Sequence, residues 1–252
     1  MTVPRVPGGA AIVTGGSSAI GRAIALRLAA DGAPVVVADL REDPREGGPP
    51  THELIRERGG TATFVPTDVT KVGDLAAMVA AADELGGVDV LVNNAGLLRA
   101  GKLVDVTEDD FDALMAVNVR GAYFAAQAAV RSMHAGERGG VILNLSSVAG
   151  LHGMRGLSAY ATAKGAVRLM TYSLAQELGR RGIRVCALHP GTIDTSMTRV
   201  DVPTAGIEQQ IPLGRIGTPD EVANAAAFLV GDQAAFVSGA SLTIDGAELS
   251  AG

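Results

Sequence analysis

The chain has 252 residues but only one cysteine, four histidines, three tyrosines and no tryptophan. A lone cysteine, Cys186, cannot close an intrachain disulfide, so packing alone must hold the fold and the cytoplasm is the expected compartment. The four histidines never fall at metal-ligand spacing, which predicts no catalytic zinc. Aromatics make up 3% of the residues, so the interior must be built from Ala, Val, Leu and Ile, with 33 glycines letting backbones approach. Positive charge is also short, with 21 Lys and Arg against 27 Asp and Glu, a net of −6. An acidic surface argues against nucleic acid or an anionic membrane as partner. No uncharged apolar run reaches the roughly 18 residues that a membrane span needs. Residues 1–9 lack the apolar stretch of a signal peptide and read as a flexible N-terminus.

What is present is apolar and regular. Hydrophobic residues are 47% and charged residues 19%, enough for a substantial core. Short β-branched runs at Ala10–Thr14, Val35–Asp39, 61–67, Val88–Asn93, 141–145, 184–188 and Ser241–Ile244 alternate with Ala- and Leu-rich helical segments. Near-continuous apolar strands fit a parallel sheet covered on both faces. Ile20, Ile24 and Leu28 recur at steps of four and stop at Gly32; Val167, Met170, Leu174 and Leu178 mark a second helix ending near Gly182. The expected fold class is α/β, a single doubly wound Rossmann-type domain over 1–252 with a seven-stranded parallel sheet. One low-complexity patch, EDPREGGPP at 42–50, reads as a surface loop.

The first strand runs straight into TGGSSAIG, residues 14–21, and a helix follows at once. There Gly15 permits the tight turn, Gly21 lets the helix approach the sheet, and the helix N-terminus offers free N–H groups to a pyrophosphate. Asp39 closes the second strand, where a carboxylate accepts both adenosine ribose hydroxyls and repels a 2′-phosphate. The turn 15–21 holds no Arg or Lys to pair with such a phosphate. Both features favour NAD over NADP, with Arg41 as the one dissenting residue. A methyltransferase shares all of this.

Tyr160 and Lys164 stand four apart in YATAKGAVRLM, on one face of an evident helix. A tyrosine has a reference pKa of about 10. A neighbouring cation favours the phenolate, so the expectation is a lowered pKa and an acid/base group working near neutral pH. Ser147 lies thirteen residues before Tyr160, just past the fifth strand, where sites form in such sheets. NNAG, residues 93–96, closes the fourth strand, and Asn118 sits inside a helical segment where an amide has no packing use.

With these residues in view the chain resembles the short-chain dehydrogenase/reductase family in its compact form. The resemblance runs from Ala10 to Gly246 through TGGSSAIG, Asp68-Val69, NNAG, Asn118, Ser147, YATAK, HPGTIDT, PLGRIGTPDEVA and SGASLTIDG. It implies an NAD(H)-dependent oxidoreductase that moves a hydride between cofactor and a secondary alcohol or ketone. It implies Tyr160 as acid/base, Lys164 as the residue that tunes it and holds the nicotinamide ribose, Ser147 as the partner of the substrate oxygen, and Asn118 as holder of a proton-relaying water. On the cofactor it implies Gly15, Ser17, Ser18 and Ile20 around the phosphates, and Asp39 and Leu40 near adenosine. It further implies Asp68 on the adenine amino group, Val69 beside that ring, and Asn94, Ala95 and Gly96 along the cofactor. After Pro190 and Gly191, Ile193 and Thr195 would grip the carboxamide. Ala19 departs from the glycine common in relatives, and the 42–50 loop is a few residues longer than usual. A homotetramer is the family's usual assembly.

The pocket candidates Leu97, Leu98, Val148, Met154, Leu157 and Met197 are apolar and favour a small hydrophobic alcohol, with His152 and Arg155 as polar candidates. His189 reads as a hydrogen-bonded structural histidine, His52 and His134 as surface residues, and Cys186 as an inert buried thiol. Three rivals stay open. A 3-oxoacyl thioester reductase often uses NADPH and wants a basic docking surface. A sugar-nucleotide epimerase needs more chain after Thr195. A catalytically inactive NAD-binding regulator has no need for the set Asn118, Ser147, Tyr160 and Lys164.

Overall fold

The computed structural model describes residues 8–137, 139–196, 198 and 206–251. Seven strands form one parallel sheet: β1 Ala10–Thr14, β2 Val35–Asp39, β3 Ala62–Pro66, β4 Val88–Asn93, β5 Gly140–Leu145, β6 Ile183–Pro190 and β7 Ser241–Ile244. Their order is β3-β2-β1-β4-β5-β6-β7, so the chain winds outward in both directions from β1 and β4. This reversal opens a crevice beyond the strand C-termini, where ligands bind in open α/β sheets. The expected doubly wound, seven-stranded parallel architecture is the one observed. β6 extends further than 184–188 at both ends and carries His189 and Pro190 within the sheet.

Side-chain alternation sorts the core into two layers. Val13, Val35, Val37, Val90 and Val92 face Ile24 and Leu28 of α1 (Ala19–Ala30) and Val222 and Ala226 of α7 (Pro219–Val230). Ile12, Val36, Leu91 and Ile142 face Leu75 and Met78 of α3 (Val72–Glu84) and Ala129 and Met133 of α5 (Ala122–Ala135). Small alanines at these helix positions explain how a chain poor in aromatics fills both layers. Helix α2 (Thr51–Glu57) flanks β3, α4 (Glu108–Met115) leads into a wide π turn over Ala116–Gly121, and α6 (Ser158–Leu178) runs along β5 and β6. The two helix stops read from Gly32 and Gly182 are both left-handed glycines, at φ +96° and +72°. No helix among the described residues is long and apolar enough to cross a membrane.

Candidate active site

The β1–α1 turn is built by close approach. Gly15 has φ +65°, and a Cβ there would lie 2.9 Å from the Asn94 amide nitrogen. A Cβ on Gly21 would be driven into the Gly15 carbonyl oxygen. Asn94 Nδ2 donates to the Thr14 and Gly15 carbonyls at 2.9 and 3.2 Å, while Thr14 Oγ1 accepts from the Asn94 and Ala95 N–H groups at 3.0 Å each. The ends of β1 and β4 are thereby locked together. Ser18 precedes α1 with extended backbone, and its side chain does not cap the helix. Ser17 Oγ is buried with no hydrogen-bond partner, and the Ser17 N–H donates to Asp39 Oδ2 at 3.1 Å. An open helix N-terminus, an orphaned hydroxyl, a cradle with no room for Cβ and a carboxylate at the end of β2 suit a dinucleotide. Ile20 is half-buried and packs on the core, and Leu40 is exposed.

The 42–50 loop is exposed except for buried Pro44 and half-buried Pro50, yet it is tied to this turn. The Arg45 N–H donates to Ser18 Oγ at 2.9 Å, and Arg22 Nη1 donates to the Pro49 carbonyl at 2.8 Å and to Thr51 Oγ1 at 3.1 Å. His52 is not the surface residue expected. It is 6% exposed, with its ring 6.0 Å from Phe64 and its Nε2 3.4 Å from Glu42. The helical phase of α2 turns it inward beside Thr51 and Ile55, which a short segment without clear periodicity could not reveal. His134 is half-buried and bonds Arg181.

Asp68 accepts from the Thr70 N–H and hydroxyl, at 3.0 and 2.7 Å, and these bonds hold its carboxyl below the usual range. Val69 is buried against Gly121, where a Cβ would meet the Val69 side chain at 2.9 Å. Gly96 sits where a Cβ would lie 3.0 Å from Asn118 Oδ1 and 3.6 Å from Lys164 Nζ. The Asn118 amide does have a structural use, contrary to expectation. It donates to the Leu97 and Leu114 carbonyls at 2.8 and 3.0 Å and accepts from the Leu97 N–H at 3.2 Å. It clamps the loop after β4 to the π turn, and such turns are frequent at functional sites.

Ser147 follows β5, Tyr160 lies in the first turn of α6, and Lys164 lies one turn on. The Ser147 hydroxyl lies near enough to the Tyr160 phenol to favour its charged form. Ser147 Oγ also accepts from the Ala149 N–H at 3.2 Å. Lys164 Nζ is 5.7 Å from the centre of the Tyr160 ring and donates to the Leu145 carbonyl at 2.8 Å. The expected lowering of the tyrosine pKa is reversed in the protein itself. Burial pushes the Tyr160 phenol up to about 12, against the opposing effect of the Ser147 hydroxyl, and pushes the Lys164 ammonium down to about 8. Both groups lie out of water, so each avoids its own charge, and the lysine points at a carbonyl rather than the phenol.

β6 ends at Pro190, and a Cβ on Gly191 would lie 2.6 Å from Asp245 Cβ. Ile193 is buried and bridges Gly217; Thr195 is buried and bonds Thr198 at 3.1 Å. Leu98 and Tyr160 share an apolar cluster with Leu97, Met154 and Leu157. Val148 is buried next to Ser147. His152 and Arg155 are exposed and outside this cluster, and Met197 lies outside the described residues.

Two supports escaped the sequence reading. Asn93 Nδ2 donates to Asn144 Oδ1, and Asn144 Nδ2 donates to Thr171 Oγ1, each at 2.9 Å, so a buried polar ladder joins β4, β5 and α6. The neighbouring Asn residues at both strand ends were the visible signal. Glu248 accepts from Thr192 N and Oγ1 at 3.0 and 3.2 Å and pins the loop after β6; nothing local marks that pair. Cys186 is buried, with its thiol pKa raised by burial.

The profile of the family described as Enoyl-(Acyl carrier protein) reductase matches residues 15–246. An L-2,3-butanediol dehydrogenase of Corynebacterium glutamicum is 39% identical over 95% of this chain and 98% of its own length. A 3-oxoacyl-[acyl-carrier-protein] reductase, FabG, of Thermotoga maritima is 37% identical over 96% and 98%. The structure of a putative 2-deoxy-D-gluconate 3-dehydrogenase from Agrobacterium tumefaciens with bound NADP superposes with a TM-score of 0.89. It is 35% identical and covers 99% of this chain and 100% of that one. The chain belongs to the short-chain dehydrogenase/reductase family. It is an oxidoreductase that interconverts secondary alcohols and ketones with a nicotinamide cofactor.

Proposed function

We propose that this enzyme uses NAD(H) on a small, fairly apolar secondary alcohol or its ketone, with Tyr160 as the acid/base. The observation that carries this is the Ser147 hydroxyl placed to act on the buried Tyr160 phenol, set against the Leu97, Leu98, Met154 and Leu157 cluster with Lys164 behind it. In oxidation, Tyr160 Oη takes the hydroxyl proton and Ser147 Oγ holds the same oxygen. In reduction, Tyr160 returns that proton. Lys164 would position the nicotinamide ribose, and Asn118 keeps the neighbouring backbone in register. When bound, the nicotinamide would supply the site that accepts or donates the hydride of the carbinol carbon. The apolar cluster excludes water from that carbon and favours aliphatic or cyclic substituents over charged ones.

Gly15, Ser17, Ser18 and Ile20 would hold the pyrophosphate, and Asp39 and Leu40 would flank the adenosine ribose. Asp68 and Val69 would meet adenine, Asn94 to Gly96 would line the cofactor, and Pro190, Gly191, Ile193 and Thr195 would meet the carboxamide. Asp39 supports NAD as the cofactor, since its carboxylate would face a 2′-phosphate. The NADP-bound relative and the exposed Arg41 make this the point to test. Kinetics with NAD and NADP side by side, across a panel of C4 to C8 secondary alcohols, are the experiment. Preference for NADP overturns the cofactor assignment, and turnover confined to 3-oxoacyl thioesters overturns the substrate class. The whole chain then works as one cytoplasmic domain that assembles into a homotetramer. Open edge strand β7 and the fully exposed Phe236 support assembly, which light scattering measures.

A further inference from the structure

His189 is wholly buried in β6, and both ring nitrogens are engaged. Nδ1 lies 3.1 Å from the Ser147 carbonyl oxygen, and Nε2 lies 2.9 Å from Ser241 Oγ at the start of β7. Ser241 Oγ lies 2.7 Å from the Tyr172 hydroxyl on α6. A carbonyl only accepts, so Nδ1 carries the proton. Neutral imidazole then has a bare Nε2, which accepts from the Ser241 hydroxyl, and Ser241 in turn accepts from Tyr172. Burial holds the ring pKa below its ordinary value. The bond to the Ser147 carbonyl opposes this, while the nearby cations Arg168 and Lys164 reinforce it. One tautomer and one donor direction therefore run from Tyr172 to Ser147.

The peptide this chain ends on is held from both sides. The Ser147 carbonyl also accepts from the Gly150 N–H at 2.9 Å, and the preceding Ser146 is tied to Leu188 through its N–H and to the Lys164 carbonyl through its hydroxyl. Gly150 and Ser146 orient the turn along the chain; His189 is the side chain that fixes its position across the sheet. We infer that His189 is a positioning residue for Ser147, holding its hydroxyl against Tyr160 and coupling that pair to edge strand β7 through Ser241 and Tyr172. This rests on the roles proposed for Ser147 and Tyr160.

Substitution separates the geometry from mere burial. The Nδ2 of an asparagine falls near Nδ1 of the histidine, whereas the longer Gln reaches toward Nε2. His189→Ala is expected to lower kcat about ten- to a hundredfold, measured with whichever C4 to C8 secondary alcohol the wild type oxidises fastest, while NAD affinity stays within about twofold. His189→Asn is expected to recover kcat to within about threefold of wild type, and His189→Gln is not. Ser241→Ala and Tyr172→Phe, near the surface, are expected to lose about two- to fivefold. Wild-type kcat in His189→Ala, or equal recovery by Asn and Gln, overturns the inference. If His189→Ala does not fold, the Asn and Gln variants decide it. Crystal structures supply a readout that needs no substrate: the Ser147–Tyr160 hydroxyl contact is expected to lengthen in the Ala variant and persist in the Asn variant, and an unmoved contact in both overturns it. Ser147→Ala is the control. If it too keeps full activity, the proposed role of Ser147 has failed; if it loses activity while His189→Ala does not, only the positioning role has failed.

Discussion

Lys164 stands 5.7 Å from the centre of the Tyr160 ring, yet its ammonium donates to the Leu145 carbonyl rather than to the phenol. The cation sits in the protein at a cost. Its pKa falls to about 8 from an ordinary 10.5 because burial disfavours the charged form. The unfolded chain then holds this proton over a pH range where the folded chain does not, so folding stability rises as pH climbs from 8 to 10.5. Below pH 8 the penalty is fully present and is on the order of 3 kcal/mol. Lys164→Met removes it. We expect the variant to gain on wild type in urea unfolding at pH 7 and to lose most of that gain by pH 10. Parallel stability curves across this range would show the ammonium to be accommodated without penalty.

Tyr160 carries the opposite consequence. Its phenol is pushed up to about 12, so the protonated form dominates at neutral pH. Oxidation of an alcohol needs the phenolate as base, and reduction needs the phenol as acid. We expect kcat/KM for oxidation to climb with pH across 7 to 9, and for reduction to hold or fall over the same range. Tyr160→Phe is expected to lower both by about 10²–10⁴ and to flatten the oxidation profile. A Tyr160→Phe enzyme that keeps the rising profile places the base elsewhere.

Asp39 makes the cofactor choice testable in one substitution. Its Oδ2 is already held by the Ser17 N–H, so the carboxylate is fixed at the end of β2 instead of swinging into solvent. A charge fixed there repels a 2′-phosphate by about 1–4 kcal/mol at about 4 Å, depending on the local dielectric. Asp39→Ala is expected to cut the ratio of NAD to NADP efficiency by about tenfold or more. An unchanged ratio would move the discrimination to the exposed Arg41 or to the 42–50 loop.

Features set by local spacing are legible in the amino-acid sequence. The β1–α1 turn, the end of β2 and the Tyr160–Lys164 pair are defined by spacing within a single element, so their placement was legible before any coordinates. Asn118 was singled out, but not the Leu97 backbone it clamps, because that contact spans a π turn whose geometry no hydrophobic period announces. The direction of the Tyr160 shift is hidden from the sequence for a related reason. Four residues of helix spacing place two side chains on one face, but how deeply both are buried depends on β5 and on the cluster around Leu98 and Met154. His52 shows the same limit on a small scale, since its burial follows from Phe64 on a strand that pairs with β2.

Ala19 is a side-chain-bearing residue where the β1–α1 turn demands a conformation that glycine prefers. It has φ +47°, a left-handed conformation, at the first position of α1. A side chain there costs roughly 1 kcal/mol relative to glycine. Ala19→Gly is therefore expected to stabilise the protein by about 1 kcal/mol, seen as a rise in Tm of roughly 2–4 °C, with NAD affinity kept within about threefold. Gly21, two residues on, should behave in the opposite way. Its Cβ would collide with the Gly15 carbonyl, a backbone atom held by the Asn94 amide, so the turn cannot yield without breaking the join between β1 and β4. Gly21→Ala is expected to lower Tm and weaken NAD binding together. If calorimetry finds Ala19→Gly destabilising, the left-handed alanine is not strained, and packing of its methyl group around the turn holds it in place.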